Sequence, residues 1–120
     1  MTEQETSKSR LNSDREQSLG QIAELEREFA AIIASAADGS AGSDDEHDPE
    51  GATVAFERQH IAALLAQARA HLDAIDAALR KVDAGVYELC DQCGGPIGAE
   101  RLAARPAALT CIRCAAKRPA

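Results

Sequence analysis

Eight apolar residues, Ile61, Leu65, Ala68, Leu72, Ile75, Leu79, Val82 and Val86, follow one another at spacings of 4, 3, 4, 3, 4, 3 and 4. That alternation is the heptad seam of a helix packed along its length against another helix, and it confines the chain to a mainly helical architecture. A shorter seam stands upstream, where Ile22, Leu25, Phe29, Ile32 and Ala36 recur at 3, 4, 3 and 4. The rest of the composition agrees. Of 54 apolar residues among 120, 26 are alanine and only 20 are Val, Ile or Leu. Burial energy scales with apolar area, so this chain lacks the bulk for a sandwich or a doubly wound sheet but has enough for a narrow helical seam.

The boundaries follow from capping chemistry. Ser13 followed by Glu16 matches a capping box and predicts a helix from about Asp14, ending at Asp38, Gly39 and Ser40. Residues 1–13 are polar and are read as a disordered tail. Asp48 before Pro49 predicts the next helix start, and Gly85 its end, giving a helix over 49–84. Two such helices joined by a short connection pack antiparallel. The predicted fold is therefore a long antiparallel coiled-coil hairpin over 14–85, with an acidic tip loop at about 38–52, followed by a small module over 86–120. A seam formed between two chains is the alternative to this monomer, and a doubled mass in equilibrium ultracentrifugation would reveal it.

Charge is unevenly placed. The formal net charge is -7, made of -9 over residues 1–85 and +2 over 86–120. Five acids, Asp44, Asp45, Glu46, Asp48 and Glu50, fall within seven residues of the predicted loop. An acidic chain does not bind nucleic acid by neutralising phosphates, and it suits a partner with a basic surface. The longest uncharged apolar stretch, residues 29–37, is nine residues, against roughly 20 for a membrane span. With no hydrophobic leader pattern in the first ten residues, the expected compartment is the cytoplasm, where cysteines stay reduced or metal-bound.

Cys90-Asp-Gln-Cys93 and Cys111-Ile-Arg-Cys114 are two Cys-x-x-Cys pairs separated by 17 residues. Zn²⁺ takes four thiolates tetrahedrally, and each such turn presents two sulfurs to one ion, so Cys90, Cys93, Cys111 and Cys114 are the candidate ligands of one structural zinc. Ile97, Leu102 and Leu109 are too few to hold the module unaided. Four sulfurs leave no open coordination position for catalysis. A thioredoxin-like redox pair is the competing reading, though no parallel-sheet pattern flanks either motif. His47, His60 and His71 lie off the seams and are read as surface residues. With no phosphate-binding glycine loop and no nucleophile elbow, the chain is not expected to be an enzyme.

The stretch from Tyr87 to Cys114 resembles the DksA/TraR four-cysteine zinc-finger signature, with Tyr87 before Cys90, Ile97, Arg101-Leu102, Arg105-Pro106 and the closing Cys111/Cys114 pair as its markers. The resemblance implies a transcription regulator that binds RNA polymerase directly. Its coiled coil would enter the secondary channel and present tip acids near the catalytic centre, with no DNA sequence being read. Asp48 matches the first tip aspartate of the family pattern, whereas Gly51 stands in place of the second; Asp44, Asp45 and Glu50 are the other candidate partner-binding tip residues. Arg101, Arg105 and Arg113 are candidate finger contacts. The resemblance also brings guanosine tetraphosphate, to which some members respond. The competing function is a zinc ribbon that uses its basic face to bind DNA or serve as a protein adaptor.

Overall fold

The structure, a computed structural model, describes residues 2–39 and 49–117. Four helices follow in order: α1 over Glu3–Gly39, α2 over Pro49–Ala84, α3 over Ala99–Ala104 and α4 over Ile112–Lys117. The fold is mainly α, an antiparallel helical pairing followed by a small cysteine-bearing module. No helix among the described residues is long and apolar enough to cross a membrane.

The start of α1 corrects the expectation of a disordered tail over 1–13. Thr2 and Glu5 form a capping box: the Glu5 amide donates to Thr2 Oγ1 at 3.1 Å and the Thr2 amide donates to Glu5 Oε2 at 3.4 Å. Two turns later Leu11 is fully buried. The seam of α1 therefore reaches back through Leu11, Ser18, Leu25 and Ile32 at intervals of seven, with Arg15, Ile22 and Phe29 interleaved. Two polar seam residues conceal it in the sequence. Ser18 is small enough to be buried, and Arg15 carries its charge to Asp76, Nε to Oδ1 at 2.7 Å.

The end of α2 is a Schellman motif. Gly85 takes φ 77°, its amide donates to Val82 O at 3.1 Å, and the Val86 amide donates to Lys81 O at 2.9 Å. The chain has left the helix by Val86, which is 39 % exposed and not the last residue of the seam. The predicted tip loop at about 38–52 also narrows, since α1 runs to Gly39 and α2 starts at Pro49.

The chain divides into two compact units, one of residues 1–18 with 70–120 and one of Leu19–Arg69. In the first, the finger unit, Leu11, Ile75, Ala78 and Val82 form a core onto which Tyr87, Ala107 and Leu109 pack from beyond α2. Antiparallel register is fixed by Gln4 Nε2 donating to Val82 O at 2.8 Å and by the Lys8–Asp83 and Arg15–Asp76 pairs. In the second, the acidic unit, Ile22 and Leu25 of α1 and Leu65 and Ala68 of α2 are buried, and Arg69 pairs with Glu26 at 3.0 Å. The cysteine module over 86–120 is thus no separate body: it shares its unit with the start of α1 and the end of α2.

Candidate metal centre

The first cysteine pair sits on a tight knuckle. The Gly94 amide donates to Cys90 O at 2.9 Å, which Gly94 permits by taking φ 74°, and the Gln92 amide points at Cys90 Sγ at 3.4 Å. The Cys90 amide donates to Gly95 O at 2.7 Å and the Ile97 amide to Glu88 O at 2.8 Å, closing a short antiparallel turn around the Leu89–Pro96 bridge. The second pair opens α4, where the Ala115 amide donates to Cys111 O. A backbone hydrogen bond ties the first knuckle to the approach of the second, the Asp91 amide donating to Leu109 O at 2.9 Å.

These turns bring all four sulfurs within 4.8 Å of one another, with Cys93 and Cys111 at 3.9 Å. A zinc ion with bonds of about 2.3 Å to a tetrahedron of sulfurs needs edges of about 3.8 Å, so the cluster fits the ion with only small closure. A core of Cys90, Ile97, Leu102 and Cys111 packs beside it, and Tyr87 touches both this core and that of the helices.

The thiols are already unlike one another. Burial works to raise the Cys90 pKa, but backbone amides of Cys93, Cys111 and Gln92 and the Cys93 thiol more than cancel it and lower the group to about 6. Cys111 is lowered chiefly by the Cys114 amide. Cys114 is pushed up to about 12, first by its hydrogen bond with Cys111 and then by burial. Four sulfurs this close do not all ionise alone, and a divalent cation supplies the charge that lets them.

Lys81 and Arg10, which the sequence did not flag, join the signature residue Tyr87 in holding the metal centre in place. Lys81, in the last turn of α2, has a side chain only 11 % exposed; its Nζ donates to Leu89 O at 2.5 Å and pairs with Asp91 at 3.0 Å. It thereby grips the residues on either side of Cys90. Arg10 of α1 donates from Nη2 to Ala103 O at 2.7 Å, and Tyr87 donates its hydroxyl to Pro106 O at 2.7 Å. Burial raises the Tyr87 pKa above its ordinary 10.

Of the finger arginines, Arg101 is half-buried and donates from Nε to Thr110 O at 2.9 Å, bracing the module from within. Arg105 and Arg113 are exposed. Arg101 and Arg105 line a cavity of about 530 Å³ together with Asp14, His71 and Thr110. Among the tip candidates, Asp44, Asp45 and Asp48 lie outside the described residues, and Glu50 falls in the first turn of α2.

Residues 85–120 match the family described as "Prokaryotic dksA/traR C4-type zinc finger". Over 40 residues the chain is 50 % identical to the RNA polymerase-binding transcription factor DksA of Haemophilus influenzae, and over 66 residues 38 % identical to the uncharacterized protein YteA of Bacillus subtilis. These stretches cover 33 % and 55 % of this chain and 28 % of each relative. The fold is similar to that of transcription factor DksA2 from Pseudomonas aeruginosa, with a TM-score of 0.74 and 26 % identity over 95 % of this chain and 81 % of that one. Fold and site together define a helical protein carrying one four-cysteine zinc finger. Residues 85–120 thus form a zinc finger of the dksA/traR C4 type, and the chain spans just over a quarter of the length of the curated relatives it matches.

Proposed function

We propose that this protein regulates transcription by binding RNA polymerase directly, inserting the loop end of its helical pair into the secondary channel to modulate initiation. The observation that carries the reading is the likeness in fold to a transcription factor along 95 % of the chain. Charge supports it independently. The acidic unit holds ten carboxylates against three arginines, the whole net charge of -7, and the finger unit is balanced at zero. An acidic surface of this kind is steered toward basic protein and away from DNA. The work is done by contact, without catalysis, in the cytoplasm where the finger thiols stay reduced.

In this reading Asp44, Asp45, Asp48 and Glu50 meet the polymerase, and Arg105 and Arg113 are left for finger contacts. Guanosine tetraphosphate would act at the cavity lined by Arg105 and His71. In vitro transcription tests the set. Asp48→Asn weakens the promoter response while polymerase binding persists; an unchanged response removes the tip from the account. Adding the nucleotide to the same reactions changes the wild-type response, and no change removes the effector.

A further inference from the structure

The acidic unit carries a groove of about 350 Å³ lined by Glu28, Ala31 and Ile32 of α1 and Glu57, His60 and Ile61 of α2. Three aliphatic side chains, two glutamates and a histidine contribute to it, and the glutamates are exposed. Neither Glu28 nor Glu57 has an ion-pair partner among the described residues, whereas Glu26 nearby is neutralised by Arg69. Phe56 stands one turn before His60 on α2 and is 72 % exposed, so an aromatic ring borders the same face.

We propose that this groove seats an arginine or lysine side chain of a basic protein partner, its stem on Ala31, Ile32 and Ile61 and its cationic head between Glu28 and Glu57. Such a side chain is apolar along its stem and charged only at its tip, which is the pattern of the groove. Phe56 adds a ring face to which a second cation is attracted. Other occupants fit worse. A second copy of this chain would bring another unit of net charge -7, and anionic lipid or nucleic acid is repelled in the same way. For a metal ion, the sole group of ligating side chains that converges among the described residues is the cysteine cluster.

The proposal deepens the polymerase-binding reading and rests on it for the identity of the partner, so two measurements separate them. The first is a nuclear magnetic resonance titration of the full zinc-loaded chain with a blocked tripeptide containing one arginine, against the same peptide with citrulline, which keeps the shape and loses the charge. Saturable amide shifts are expected at Ala31, Ile32, Glu57, His60 and Ile61, with binding about 10-fold weaker for citrulline and for the Glu28→Gln/Glu57→Gln protein. Shifts confined to residues 44–50, equal binding of both peptides, or no binding overturns the groove. The second is retention of purified RNA polymerase by wild type and by Glu28→Gln/Glu57→Gln. Equal retention of both proteins overturns the groove and leaves the polymerase reading standing. Arginine-peptide binding with no polymerase retained does the opposite.

Discussion

The two units solve the same problem, too few bulky apolar residues, in different ways. The finger unit builds one core from Leu11, Ile75, Ala78 and Val82, a second from Cys90, Ile97, Leu102 and Cys111, and joins them through Tyr87. It adds two capped helix ends, three cross-helix side-chain contacts and a site for a metal ion. Among the described residues of the acidic unit, the buried apolar ones are Ile22, Leu25, Leu65 and Ala68, and the one ion pair, Glu26–Arg69, is half-exposed. An exposed pair contributes about 0–1 kcal/mol. Stability is thus concentrated where the charge is balanced, and charge is concentrated where the packing is thin. In the proposed reading, a surface that meets a basic partner accepts that repulsion.

The largest effect expected from this contrast is that of metal removal. Structural zinc in small modules contributes on the order of 10 to 16 kcal/mol of apparent binding free energy. Chelation, or Cys93→Ser, should abolish amide-exchange protection over 86–117 while leaving protection at 19–35 and 51–69 near its starting level. Loss spread evenly over both units would erase the distinction between them. Next comes Leu11→Ala, which opens a cavity in a fully buried position and should cost about 2–5 kcal/mol in chemical denaturation. The same truncation of Leu65 should cost less, because the thinner packing around it relaxes more readily.

Smaller effects sharpen the picture of how the helices hold the metal centre. Lys81→Met removes the cation that binds Leu89 O and Asp91, and should cost about 1–3 kcal/mol with a measurable fall in zinc affinity by chelator competition. An unchanged zinc affinity would mean that the knuckle orders itself without α2. Tyr87→Phe should cost about 0.5–1.5 kcal/mol through the lost bond to Pro106 O. Because the folded state raises the Tyr87 pKa above 10, the contribution of its protonated hydroxyl is complete below pH 10 and is lost as pH climbs through the raised value. The variant should lack that alkaline limb in a stability profile.

Much of this was legible before any coordinates. The 4/3 spacing placed α2, Pro49 and Gly85 bounded it, and two Cys-x-x-Cys pairs identified the metal ligands by chemistry alone. The start of α1 was not legible for a physical reason. Arg15 and Ser18 occupy seam positions where an apolar residue is expected; the half-exposed arginine is accommodated by Asp76 opposite it, and the serine is small enough to be buried. The helix starts at the Thr2/Glu5 capping box in place of the expected Ser13/Glu16, and the burial of Leu11 holds the added turns in place. Val86 continues the heptad spacing on paper but lies beyond a glycine whose positive φ turns the chain away. Lys81 and Arg10 bind backbone carbonyls brought near by folding, and no spacing rule predicts a partner of that kind.

The most direct test of the central claim is the retention of purified RNA polymerase by the immobilised, zinc-loaded chain across a salt series, with duplex DNA run in parallel. The account predicts that polymerase is held at low salt and released as salt screens the acidic unit, while DNA is not held at any salt. Failure to hold polymerase at every salt concentration, or steep salt-dependent retention of DNA in its place, would contradict it.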